Sequence, residues 1–263
     1  MTTTTGATSA TGVLQMVRAQ IDAREFRRWM GSKRLQDPDH AMHCLLSECF
    51  GELAPKPFRL ILPRDCPTGV LYGYGRSDAD TLREMANVYA DPLQSRVIPV
   101  DEMDSKAMPS AWRVGQRLGF EVRVRPVVRK PREDSERRHR EMDAFQAEAE
   151  RHPKGKMPRS REQVYADWLA DKFAILLSEE SGGRLRQGRR LGASLDLTQT
   201  TLVSFQRTRA YRKAGAAPYS EGPDAVMRGV LTITDSEAFA ALLAKGIGRH
   251  RAYGFGMLLL RPV

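Results

Sequence analysis

Two histidines, His40 and His43, stand three positions apart in the stretch "DPDHAMHCLLSECFG". Histidine ordinarily titrates near pH 6.5, so either ring can take or give a proton under neutral conditions. Near the C-terminus, "GIGRHRAYGFGMLLLRP" sets Gly246, Gly248, Gly254 and Gly256 among Arg249, His250, Arg251 and Tyr253. A third stretch, "GGRLRQGRR", gathers Arg184, Arg186, Arg189 and Arg190. Proton transfer is the chemistry open to the histidine pair. The other two stretches suit a polyanion: glycines let a backbone come close, cations meet phosphate, and Tyr253 offers an aromatic face. Each also has a plain structural reading, as solvated histidines, a glycine turn and a solvated basic loop or hairpin. A zinc site at His40 and His43 lacks further ligands, because Cys44 is expected to point elsewhere on its helix and Cys49 into the core.

The elements that must hold these residues follow from periodicity. Asp37 can cap a helix whose first position suits Pro38. At about 100° per residue, Met42, Leu45, Leu46, Cys49 and Phe50 form its apolar face, and His40, His43 and Ser47 fall on the other side. Both histidines then sit in the first turns, where free N–H groups and the helix dipole favour phosphate. The glycine stretch follows the helical run "DSEAFAALLAK" and precedes the strand "GMLLLRP". A dinucleotide-binding loop requires the opposite order, strand then helix, so Gly246 reads as a helix C-cap.

Along the chain, "VLQMVRAQI", the His helix, "FRLIL", "GVLYGYG", the Asp-capped helix "DADTLREMANVYAD" and "RLGFEVRVRPVV" give the order βαββαβ, a ferredoxin-like unit over 13–128. Residues 1–12 read as a disordered tail. The charge-dense segment 129–160 reads as an inter-domain insertion with a short exposed helix around Glu136 to Arg151. The stretch 161–263 reads as a second, degenerate unit of similar order. It opens with a long helix through "SREQVYADWLADKFAILLSEESGG", capped by Ser160 and ended by Gly182. The predicted fold class is therefore α+β, two tandem ferredoxin-like domains.

Composition narrows the partner. With 42 Lys and Arg against 32 Asp and Glu, the formal charge is +10, which favours nucleic acid over a membrane surface. No apolar run approaches the roughly 18 residues of a membrane span, and the N-terminus lacks a signal pattern. Three cysteines without CxxC spacing fit a reducing cytoplasm rather than a disulfide framework.

The C-terminal stretch resembles the glycine-rich signature of the repeat-associated RNA-binding proteins of CRISPR systems, in particular the CasE branch. The pattern G-[IL]-G-x-x-[KR]-[AS]-x-G-x-G-[LM]-L is met by Gly246, Ile247, Gly248, Arg251, Ala252, Gly254, Gly256, Met257 and Leu258. "GVLTITDSEAFAALLAK" is similar to the family's preceding strand and helix. The resemblance implies an endoribonuclease that binds the CRISPR repeat hairpin and cuts precursor CRISPR RNA without metal or cofactor. It then stays on the mature crRNA with other Cascade subunits. The RNA's own 2′-hydroxyl would be the nucleophile, leaving a 2′,3′-cyclic phosphate or 3′-phosphate and a 5′-hydroxyl. His43 matches the catalytic histidine by its place before "CLLSECF", and His40 takes a place often held by Tyr. RNA contacts are implied for Arg184, Arg186, Arg189, Arg190, Gly248, Arg249, His250, Arg251 and Gly254. Two other readings stay open: a non-catalytic RNA-binding subunit of the same assembly, and a general RNA-binding protein with ferredoxin-like sheets as platforms.

Overall fold

The computed structural model describes residues 12–132, 135–153, 156–181, 184–210 and 220–263, with backbone alone for 131–132, 135–140, 176–181, 184–187, 210 and 220. The tail expected over 1–12 lies almost wholly outside the described residues, as does the expected helix end at Gly182.

The first unit opens with β1 (Gln15–Asp22), whose alternating Val17, Ala19 and Ile21 enter the core. Asp22 closes the strand and caps α1 (Ala23–Ser32) by accepting from the Arg24 and Glu25 amides. Asp37 caps α2 (Pro38–Phe50) in the same way, through the Asp39 and His40 amides. Then come β2 (Phe58–Ile61), β3 (Thr68–Gly75), α3 (Ala79–Tyr89), α4 (Pro92–Val97) and β4 (Asp104–Ala107). The antiparallel sheet runs β2-β3-β1-β4. α1 was not anticipated, although Phe26, Trp29 and Met30 are buried from one face at helical spacing.

The second unit begins with β5 (Arg117–Val124). The hairpin β6 (Val127–Arg132) and β7 (Ser135–Asp143) follows, then α5 (Ala144–Ala149), α6 (Arg161–Asp171) and a second hairpin, β8 (Ala174–Ser181) and β9 (Arg184–Leu191). The chain finishes with β10 (Ala193–Leu195), β11 (Thr201–Ala210), β12 (Ser220–Ile233), α7 (Ser236–Lys245) and β13 (Leu258–Arg261). Its sheet runs β10-β12-β5-β13, with β11 added beside β12. Counting β5, β10, β12 and β13 as first to fourth strand gives the same permutation as the first sheet. The protein is thus α+β with two tandem ferredoxin-like units.

Three expectations need correction. "RLGFEVRVRPVV" does not close the first sheet: β5 pairs with β12 and β13 and is central to the second. Its alternation is strong because Phe120, Val122 and Val124 fill that sheet's core. The true closing strand, β4, is a four-residue edge strand with little apolar content. We therefore propose that the units divide between Ala107 and Arg117 rather than at Val128. The helix expected around Glu136 to Arg151 is confined to α5, and the first half of that range is strand β7. Pairing across β6 and β7 sets Arg129 opposite Glu141 and Val128 opposite Met142, and this overrides local helix propensity. The helix expected from Ser160 to Gly182 stops at Asp171, and "AILLSEES" becomes β8. A short apolar run does not distinguish helix from strand until its partner is known. The partner here is β9, in a register that sets Glu179 opposite Arg186.

Two apolar clusters result. One fills the first unit between sheet and helices. The other, built around Phe120, Phe173 and Phe239, also takes in Tyr74 from the first sheet, whose hydroxyl donates to the Leu258 carbonyl at 2.9 Å. The two units are therefore packed together, and the start of α2 faces the loop that follows α7.

Candidate active site

α2 buries Ala41, Met42, Leu45, Leu46, Cys49 and Phe50, which leaves His40 and His43 half-buried on the opposite side, as the periodicity predicts. The structure adds a neighbour that periodicity could not reveal. Tyr253, from the far end of the chain, stands edge-on to His43 with ring centroids 5.2 Å apart, and 5.7 Å from His40. The two imidazoles are 6.4 Å apart. Three proton-bearing rings thus share one corner. Burial is the first cause that lowers the His43 pKa, followed by the charges of His40 and Lys56. The shift favours the neutral ring, the state a general base needs. Cys44 does not point elsewhere on the helix. Its sulfur lies 3.8 Å from His40 Nε2, since positions i and i+4 share a face.

The glycine loop brings Tyr253 there. Gly246 ends α7, with its N–H donated to the Leu242 carbonyl. The neck is closed by Ile247 N–H to the Gly256 carbonyl at 2.8 Å and by Gly256 N–H to the Arg123 carbonyl at 2.7 Å. Gly254 has φ +74°, and a Cβ there would lie 2.5 Å from Asp39 Oδ1, so only glycine lets the loop touch the first turn of α2. Near the middle of the loop, Arg249 and His250 bind Glu141 of β7, at 2.5 and 2.8 Å. The His250 hydrogen bond is the main cause that holds the Glu141 carboxyl below its ordinary range. Arg251 donates to the Lys245 carbonyl at 2.7 Å.

Two hollows flank the loop. A cleft of about 340 Å³ is lined by Asp39, Arg123, Arg125, Arg209, His250 and Tyr253, among others. A larger groove, about 850 Å³, has five cations in its lining, Arg129, Lys172, Lys245, Arg249 and Arg251, and no carboxylate. The arginine stretch is placed differently. Arg189 binds the Asp171 carboxylate and carbonyl, and Arg190 binds Asp235 and Glu237. Both are held at the base of the β8–β9 hairpin rather than among the histidines. The side chains of Arg184 and Arg186 lie outside the described residues.

Sequence reasoning did not single out Lys56, Asp39 or Arg123, and it treated Tyr253 only as an aromatic face. The one signal was the "VRVR" alternation, which puts Arg123 and Arg125 on the same side of the chain at the end of β5. Among the described residues, no group of three or more His, Cys, Asp or Glu is placed to hold a metal ion, and no helix is long and apolar enough to cross a membrane.

A family model described as "CRISPR associated protein" matches residues 14–262. No curated protein is significantly similar in sequence. Among solved structures, the chain is similar to the CRISPR endoribonuclease Cse3 bound to a 19-nucleotide RNA. Identity is 19%, with 95% of this chain and 100% of that chain covered and a TM-score of 0.60. The CRISPR-associated protein Cas6e of Escherichia coli K-12 gives 16% identity, 95% and 100% coverage and a TM-score of 0.52. A chain of a CRISPR RNA-guided surveillance complex in a pre-nicking state gives 14%, 94% and 100%, and 0.51. At these identities the likeness is one of fold.

Proposed function

The chain belongs to the family of CRISPR-associated proteins, and from that premise we propose that it is a metal-independent endoribonuclease of the CasE type. It binds the CRISPR repeat hairpin, cuts precursor CRISPR RNA, and stays with the mature crRNA as a subunit of a Cascade-like complex. The observation that carries this reading is the corner shared by His40, His43 and Tyr253, on a glycine loop whose Arg249 and Arg251 also line a cationic groove. Neutral His43 accepts the proton of a ribose 2′-hydroxyl. The freed 2′-oxygen attacks the adjacent phosphorus, and the bond from phosphorus to the 5′-oxygen breaks. That oxygen takes a proton from His40 or Tyr253. Lys56, close enough to shift the His43 titration, offers positive charge to the crowded phosphorane. A cyclic 2′,3′-phosphate and a 5′-hydroxyl result.

The test is incubation of the protein with a labelled repeat hairpin in excess EDTA. Full cleavage with those termini is expected, and a 2′-deoxy residue at the cut position should stop it. A rate that collapses in EDTA and returns with magnesium or manganese would overturn the mechanism. Tight binding without any cutting would mean a non-catalytic subunit.

The basic residues divide into two groups with different expected phenotypes. Arg249→Ala with Arg251→Ala should weaken hairpin binding and flatten the dependence of log K on log salt. Each lost phosphate contact removes about 0.7–0.9 from the slope. Arg189→Ala with Arg190→Ala should leave the slope alone and lower the melting temperature, because both lie outside the lining of the cationic groove and tie the base of the β8–β9 hairpin to Asp171, Asp235 and Glu237. A slope that responds to the second pair and not the first would reverse the assignment.

A further inference from the structure

Carboxylates from the two units converge on one guanidinium. Arg123 donates from Nη1 to Asp39 Oδ2 at 2.7 Å, and from Nε and Nη2 to the two Asp224 oxygens at 2.8 and 2.7 Å. Asp39 lies in the first turn of α2, directly before His40. Asp224 belongs to β12 and also accepts from Gln206 at 3.0 Å. The three side chains are 13%, 15% and 3% exposed, so this is a largely dry triad. Arg123 also holds the glycine loop. Its guanidinium sits 4.4 Å from the Phe255 ring, and its carbonyl accepts the Gly256 N–H.

Resting on the endoribonuclease reading of this corner, we propose that Arg123 is a positioning residue that sets the spacing of His40, His43 and Tyr253. It does so by clamping the first turn of α2 to the Phe255–Gly256 end of the glycine loop. The histidines ride on the helix whose first turn holds Asp39, and Tyr253 lies two residues before Phe255. A shift at the clamp therefore passes directly into the distance between the rings. Buried ion pairs add little net stability, but their directed bonds fix geometry. The planar fork reaches two carboxylates and an aromatic face at once, and a lysine ammonium cannot reproduce that.

The clamp also governs the state of His43. The groups facing that ring are His40 from its own helix, Lys56 from the turn before β2 and Tyr253 from the loop. Asp39 and Cys44 stand beside His40. Burial is the leading reason His43 stays neutral. A loop released from Arg123 lifts Tyr253, admits water and lets the His43 titration climb back toward its ordinary value.

The experiment compares the full-length protein with Arg123→Lys and Asp224→Asn. It records melting curves, hairpin affinity, single-turnover cleavage against pH, and the NMR titration of the histidine rings without RNA. Arg123→Lys should stay folded and bind the hairpin within about threefold, and its saturated rate should fall about 10- to 100-fold. Its His43 titration should move upward, and the low-pH limb of the rate profile should move with it. Asp224→Asn keeps the Asp39 contact and should show the same changes in weaker form, which retains the test if Arg123→Lys does not fold. A His43 titration identical to wild type in a folded variant overturns the proposal. So does a rate loss that only follows the folded fraction. Because the ring titration needs no RNA, it decides the role of Arg123 even if the protein cuts none.

Discussion

His43→Ala should abolish cutting and leave hairpin affinity nearly intact. The loss expected for one acid–base group is about 10²–10⁴-fold. Affinity should survive because the proposed mechanism uses the histidine ring for proton transfer and leaves the phosphates to the cations of the groove. The pH profile gives a second check. A base must be unprotonated, and burial beside His40 and Lys56 lowers the His43 pKa below its ordinary 6.5. The wild-type rate should therefore rise with pH through a midpoint below 6.5 and be level by pH 7. A midpoint above 6.5, or an alanine variant that cuts at the wild-type rate, would remove His43 from the mechanism. His40→Ala should cost less, since Tyr253 stands within reach of the same corner.

What the sequence made legible was local. Aspartates before helical runs marked helix starts correctly at Asp37 and Asp78. The apolar face of α2 placed both histidines off the core. Alternation identifies the faces of a strand but not its partners, and so β5 was credited to the wrong sheet. The edge strand β4 carries too little apolar surface to announce itself. β8 looked helical because Phe173, Leu176 and Leu177 fall at helical spacing, and only the pairing with β9 makes that run a strand. The site followed the same rule. The histidines share one helix and could be read together. Tyr253 and Arg123 meet them only through the packing of one unit against the other, and no local pattern encodes that contact.

Gly254→Val should destroy cleavage out of proportion to its effect on folding, and the reason lies in what its side chain would strike. At φ +74° an L-residue is strained by roughly 1–2 kcal/mol. The added Cβ would also come within 2.5 Å of Asp39 Oδ1. The clash is with the clamp at the start of α2, so the loop must lift and carry Tyr253 away from the histidines. Gly256→Val meets a different obstacle. Its Cβ would lie 2.2 Å from the Ile247 carbonyl, part of the neck that closes the loop, so stability itself should fail there. Gly31 in α1 has open space around it, and Gly31→Ala should change neither property. Melting curves, hairpin binding and single-turnover rates on the three variants separate the cases. A Gly254→Val protein that melts close to wild type but has lost cutting and binding marks the loop as part of the RNA site. Lost stability with wild-type affinity and rate in the folded fraction would make the loop a plain structural turn, and its role toward RNA would then be withdrawn.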